Sequence, residues 1–328
     1  MTNEIKGFLL YQSDLSVVND DILNSLVAVG INSIFLVVKD YNGSWIDSKK
    51  EQEIDEWIKK YSLKKFAWIC TQTEGYEGEL TNKGINSLFE INNWSVRDNS
   101  NIDSIRKPVP GDFGIEQFAC PSNDNHNKYV IENIQKIKSR YDGLLFDFVR
   151  FPLQSEYCFC DSCEKLSNEI FKKSVYKLDP HEKFLLKQKS IVNLVNKLEN
   201  EIDIYKSFLI WPSFKLKNLS RYQAPELWKA ENVSPMLYHT LGNEAKMYEK
   251  FKKKYHKKNI LPLFLVNDIN EINNKKLNGI SSNYIITHYG LNKKEVHKKR
   301  NKLIIYFYDL FKDAIFRMES LKRILRRI

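Results

Sequence analysis

No stretch of the chain approaches the roughly 18 consecutive apolar residues that a membrane-crossing helix requires, so no transmembrane segment is expected. The opening residues, Met1-Thr2-Asn3-Glu4-Ile5-Lys6, carry no apolar core of the kind found in a secretory leader, and none is expected here. No internal repeat is found. Cysteine is sparse, five in all, and four of the five fall into one apparent cluster. That pattern does not suit a disulfide framework. It points to a reducing, cytoplasmic compartment and to a metal.

What is present is a well-packed globular composition, 42% hydrophobic and 13% aromatic. Many aromatics suit a carbohydrate cleft, although most must serve as core. The 328 residues fill one large domain or two ordinary ones, and an α/β barrel of roughly 250 residues with insertions fits that length. The formal charge of +10 gathers late, at Lys252 to Lys254, Lys257-Lys258, Lys293-Lys294, Lys298 to Arg300 and Lys322 to Arg327. Solvated helix faces account for such runs. Their functional counterpart is an anionic partner: nucleic acid, an acidic glycan or a membrane surface. Nucleic acid ranks last, because the lysines fall mostly on helices that face outward in a barrel and are not interleaved with aromatics.

Eight short apolar runs are expected as strands: Lys6 to Tyr11, Ser33 to Lys39, Lys65 to Thr71, Leu144 to Phe146, Ser207 to Trp211, Asn232 to Tyr238, Ile260 to Val266 and Asn283 to Thr287. Pro235 hints at a bulge near the end of the sixth. Helical patterns separate most of them, at Asn19 to Val29, Glu51 to Tyr61, Asn127 to Arg140, Glu164 to Tyr176, His181 to Asp203 and Glu244 to Tyr255. Alternation of this kind argues for a parallel sheet, and eight strands for closure into a (β/α)8 TIM barrel. The rhythm breaks once, in a polar insertion of residues 74–125 after strand three. Its position puts it on the catalytic face, as a lid or wall over substrate. The expected organisation is a barrel over residues 1–300, including that insertion, and a basic amphipathic helical extension over 301–328. The extension is a candidate for contact with a membrane surface or an anionic glycan, or for oligomer contact.

The fourth strand carries the most informative stretch. Leu144 to Phe146 is apolar, Asp147 and Arg150 follow, and Pro152 stops the strand. Charge at the C-terminal end of a buried parallel strand is how a barrel presents catalytic groups; an ion pair capping the strand is the structural alternative. Just beyond it, Cys158-x-Cys160-x-x-Cys163 supplies three soft ligands, and Cys120 is the expected fourth of a closed, structural Zn²⁺ site. Such a site would pin the insertion to the loop after strand four. Cys70, inside strand three, reads as a core thiol.

The Cys-Pro-Ser-Asn segment at Cys120 followed by Cys-x-Cys-x-x-Cys resembles the zinc cluster of the family 42 β-galactosidases. Asp142 to Pro152 resembles the Asp-Gly-(apolar)-Asp-Tyr-Val-Arg-Tyr-Pro strand of glycoside-hydrolase-like barrels, and Val233 to His239 is similar to their strand-six segment. The resemblance spans strands three to six and the metal loop. It implies a TIM barrel with a structural zinc and glycosidase activity on an oligosaccharide or polysaccharide. Two departures stand out. The Asn-Glu pair that the family 42 enzymes carry at the end of strand four is absent, with Asp147 in its place. Their glutamate at the end of strand seven is also absent, the nearest acid being Asp268.

Glycoside hydrolysis ordinarily needs two carboxyl groups. Asp147 is the first, as nucleophile or base, with Arg150 holding it ionised or binding a substrate carboxylate. Asp268 is the first choice of partner, with Asp40 and Glu226 as alternatives. Arg150, Trp211, Tyr238, His239, His288 and Asp40, with Tyr289, lie at strand ends on the same face and are the candidate sugar-binding groups. The competing reading is a non-catalytic barrel that binds glycan, or a binding protein acting through its basic surface.

Overall fold

The computed structural model describes residues 4–74, 94, 96, 97, 117–152, 158–211, 222–237, 244–266 and 281–288. Eight parallel strands form the barrel: β1 (Lys6–Leu10), β2 (Ser33–Lys39), β3 (Lys64–Cys70), β4 (Gly143–Asp147), β5 (Lys206–Ile210), β6 (Asn232–Leu237), β7 (Leu263–Val266) and β8 (Tyr284–His288). Each pairs in parallel with the next, and β8 pairs with β1, so the sheet closes. The fold is the (β/α)8 barrel expected from the alternation of strands and helices.

Among the described residues the α-helices are α1 (Asp20–Ala28), α2 (Ser48–Lys60), α3 (Asp124–Ile137), α4 (Asp161–Phe171), α5 (Pro180–Glu201) and α6 (Glu244–Lys254). Their starts follow from local chemistry. The Asn19, Asp47 and Asn123 side chains accept backbone N–H groups at the first turns of α1, α2 and α3. Asp179 and Glu182 form a reciprocal capping box at α5, where Pro180 occupies a position that needs no N–H.

Alternation along the strands divides the apolar residues into two cores. One lies between strands and helices and includes Phe8, Leu36, Leu144, Phe146 and Phe208. The other fills the barrel and includes Leu9, Phe35, Phe66, Trp68, Leu145, Leu209 and Ile285. Each such side chain, fully buried, contributes about 1.5–3 kcal/mol, so both faces of every strand contribute to stability. At the N-terminal end of the barrel the Phe35 and Phe66 rings stack at 4.6 Å. Two glycines make room for them. A Cβ on Gly7 would lie 2.3 Å from Phe35, and one on Gly143 would lie 2.7 Å from Tyr205 and 2.9 Å from Phe66.

Pro235 pairs with Ile210 in unbroken register, so the bulge anticipated in β6 is not there. The register shift falls instead in β2, between Val37 and Lys39. Pro262 has a different effect. It lacks the N–H for a ladder and separates β7 from the two-residue strand Asn259–Ile260, so the seventh strand comes in two pieces. Within the insertion, Thr73–Glu74 pairs antiparallel with Gln117–Phe118. The rest of the insertion, apart from residues 94, 96, 97 and 117–125, and the C-terminal extension 301–328 lie outside the described residues.

Candidate active site and metal centre

Asp147 is the last residue of β4. It shares the parity of Leu145, which faces the barrel interior, and its side chain is half-buried. In the β3–β4 register it stands beside Cys70, and the backbone continues the ladder with Thr71 N–H donating to Asp147 O at 2.9 Å. Tyr11 and Trp211, which follow β1 and β5, pack against the same interior core. The Tyr11 hydroxyl lies 3.1 Å from Thr287 Oγ1 of β8. Burial pushes the Tyr11 phenol far up, and the negative charges of Asp14 and Asp147 add to the effect. Burial, then Asp147, pushes the Cys70 thiol well up, so it is inert at neutral pH. The C-terminal mouth of the barrel therefore gathers Tyr11, Cys70, Asp147, Trp211 and Thr287 in one inward layer.

The backbone after Asp147 is strained. Phe148 has φ of 56°, the left-handed region that an aromatic residue rarely adopts. Its N–H donates to Asp147 Oδ1 at 2.6 Å, and its carbonyl accepts from Arg150 N–H at 2.8 Å. Gln223 bolts this segment to the end of β5, donating to Val149 O and Leu209 O while its Oε1 accepts the Trp211 N–H. These contacts fix the direction in which the carboxylate points.

Arg150 is buried. Its guanidinium lies 4.8 Å from the Phe118 ring and 4.6 Å from the Phe148 ring, and Nη1 donates to Phe151 O. Asp40 is half-buried; its Oδ1 accepts the N–H groups of Asn42 and Ser44, and burial raises its carboxyl above the usual range. His288 turns to the outer face of β8, stacked on Phe8 at 5.0 Å, with Nε2 bonded to Leu9 O and 3.4 Å from Asp14. Glu226 is exposed on a short 3₁₀ turn. Asp268, Tyr238, His239 and Tyr289 lie outside the described residues.

Behind this layer is a charged group that sequence reasoning missed. Lys39, at the end of β2, is fully buried and donates to Cys70 O, Thr73 O and Glu74 Oε1 at 2.9, 2.5 and 2.8 Å. Glu74 also meets His126 of α3 at 2.7 Å. Lys39 read as the polar end of a strand and Glu74 as the first residue of a loop. The one available signal was a lysine ending an otherwise apolar run, which needs a carboxylate if the strand is buried to its tip.

The four cysteines expected to share a metal do come together. The sulfurs of Cys120, Cys158, Cys160 and Cys163 all lie within 4.8 Å of one another, and all four residues are buried. Cys120 and Cys163 are 3.4 Å apart, too far for a disulfide and close to the roughly 3.8 Å edge of a tetrahedron with metal–sulfur bonds of about 2.3 Å. Cys120 follows the strand that ends the insertion, Cys160 caps α4 and Cys163 lies in its first turn. Burial and the neighbouring sulfurs raise the Cys120 thiol. Its sulfur neighbours, then burial, raise that of Cys163. Burial opposes ionisation of Cys158 as well, but hydrogen bonds from the other three thiols and from Arg97 N–H outweigh it and favour its thiolate. Four buried sulfurs at these separations are a set that a divalent ion completes by displacing protons. The donor set therefore fits a metal ion, and four protein ligands close it.

No protein-family model and no curated protein matches the chain. Among solved structures, the catalytic domain of β-amylase from Paenibacillus polymyxa is similar with a TM-score of 0.52 at 9% identity, covering 88% of this chain and 93% of that one. The galactosidase domain of AgaSK, an α-galactosidase–sucrose kinase, gives a TM-score of 0.50 at 9% identity over 94% of this chain and 41% of that one. Likeness at such identity establishes fold alone. The chain is a (β/α)8 barrel whose structural neighbours are glycoside hydrolases.

Proposed function

We propose that the protein cleaves glycosidic bonds in an oligosaccharide or polysaccharide, with Asp147 as the central carboxylate. The observation that carries this reading is the placement of Asp147: inward, at the C-terminal end of β4, aimed by a strained residue and two bolted loops. Barrel enzymes place catalytic groups at that end. The motif resemblance of Asp142 to Pro152 and the glycan-cleaving neighbours support the same class. Trp211 and Tyr11 offer a ring face and a hydroxyl to a sugar.

The mechanism needs a second carboxyl group. Asp268, after β7, is the partner expected from position. Asp40 is a described carboxyl with acid character, since burial raises it and so favours its protonated form at higher pH. Asp147 would then be the base or nucleophile. The cysteine cluster holds Zn²⁺ in a structural role, as in the family 42 β-galactosidases that the cysteine spacing resembles.

A screen of oligosaccharides and polysaccharides with the wild type and Asp147→Asn tests the reading. Asn keeps the shape and removes the charge. Turnover should fall by several orders of magnitude with the melting temperature unchanged. A strand-capping role for Asp147 predicts the reverse: lower stability and unchanged activity per folded molecule. Absence of any turnover by the wild type across the screen would sink the enzyme reading.

A further inference from the structure

The cysteine cluster raises a charge question that its sulfurs alone do not answer. Four thiolates around a divalent ion carry a net charge of about −2, and all four cysteines are buried. A buried net charge is costly unless an opposite charge shares the same low-dielectric region.

Helix α5 brings two lysines to the side of the cluster. Cys158 and Cys163 form one wall of a cavity of about 10 Å³, and Lys183, Lys187 and Ser190 of α5 help to form the other. Such a space holds about one water molecule. Lys183 and Lys187 are four residues apart and so share a helix face. Lys187 is 3% exposed, far below what is usual for a lysine. Its ammonium lies 4.4 Å from the Tyr222 ring and 5.0 Å from the Phe151 ring, and that of Lys183 lies 5.8 Å from the Phe159 ring. Aromatic faces attract an ammonium by up to about 2 kcal/mol. They do not neutralise it, and Lys187 lines the same cavity as Cys158 and Cys163.

We propose that Lys187, assisted by Lys183, is the counter-charge of the metal centre: it offsets the net negative charge of the metal-bound cysteines and slows loss of the ion. This rests on the metal reading of the four cysteines. It makes Lys187 a positioning residue that acts on the ion through electrostatics across the cavity.

The test uses the full chain loaded with Zn²⁺ and transferred to a chromogenic chelator, with Co²⁺ substitution as an optical check on coordination. Lys187→Met keeps the length and removes the charge. It should release Zn²⁺ at least about tenfold faster, while the Co²⁺ bands of a tetrahedral thiolate site persist and the metal-free melting temperature does not fall. Lys187→Arg keeps the charge and should stay close to wild type. Lys183→Met, on a half-exposed position, should have a smaller effect. Release from Lys187→Met at the wild-type rate, or equally fast release from Lys187→Met and Lys187→Arg, would overturn the proposal. If Lys187→Met does not fold, Lys183→Glu places a negative charge on the same wall and must speed release; an unchanged rate there overturns the proposal equally. A wild type that takes up neither Zn²⁺ nor Co²⁺ removes the metal reading and this inference with it. A wild type that binds both, with an indifferent Lys187→Met, removes the inference alone.

Discussion

Glu74 Oε1 and His126 Nε2 meet at 2.7 Å with both side chains buried, joining the residue that leaves β3 to the first turn of α3. Burial pushes the His126 imidazole down, and Glu74 offsets this only in part. Burial alone would raise the Glu74 carboxyl, but the Lys39 ammonium and His126 outweigh it and hold it low. Both groups therefore bind protons more weakly folded than unfolded. Their contribution to stability is complete above the unfolded histidine value of about 6.5 and declines as pH falls. The first decline, below about 6.5, belongs to His126, and a second, below about 4.5, to Glu74. Melting temperatures measured from pH 8 to pH 4 should show both, and His126→Gln should flatten the first. Equal slopes for the two proteins between pH 7 and pH 5 would contradict this assignment.

Lys39 anchors the same group. Lys39→Met removes a buried cation and leaves Glu74 with His126 alone. Breaking one side of a buried pair costs about 3–5 kcal/mol. The double variant Lys39→Met, Glu74→Gln removes both charges and should recover much of that loss. Urea unfolding of the two proteins gives the comparison; a single variant no less stable than the double would show that the pair contributes nothing.

The strands were legible because a barrel buries them on both faces, which leaves apolar runs with sharp ends. The extent read for β2 is the observed one, and most others agree to within a residue or two at each end. Asp147 and the four cysteines were visible for a related reason: charge and soft sulfur stand out against apolar strand and polar loop. What was not legible depends on the third dimension. The Phe148 conformation, the bolt at Gln223 and the Lys39–Glu74–His126 group join residues distant in the chain, and no local pattern announces them. Tyr11 could have been found by counting two residues on from Leu9 along the inward face of β1.

Gly7 tests the packing of the barrel floor. The Phe35 atom that a Cβ on residue 7 would meet, at 2.3 Å, belongs to a fully buried ring already stacked on Phe66. Gly7→Ala should therefore cost about 1–3 kcal/mol, as overpacking does. Phe35→Leu frees the space, so adding it to Gly7→Ala should cost less than the sum of the two single changes. Thermal melts of the three variants measure the coupling; strict additivity would mean that the ring and the glycine are not in conflict.

Removal of the metal tests what the cysteine cluster holds. Cys120 N–H donates to Trp94 O, Ala119 N–H to Gln72 O, and Cys120 O accepts from Asn123 N–H, the residue that caps α3. Phe159 N–H donates to Arg97 O on the other side. The cluster thus ties together the entrance to α3, residues 94 and 97, and residues 158–160 ahead of α4. Treatment with a strong chelator should lower the melting temperature by several degrees, and Cys120→Ser should do the same with no further effect of the chelator. Hydrogen exchange should accelerate first at residues 94–97, 117–123 and 158–163, while the amides of β1, β2 and β8, remote from the cluster, keep their protection. A uniform rise in exchange would make the cluster a support of the whole barrel. Exchange and melting unaffected by chelator would mean that the four sulfurs hold these segments without a metal.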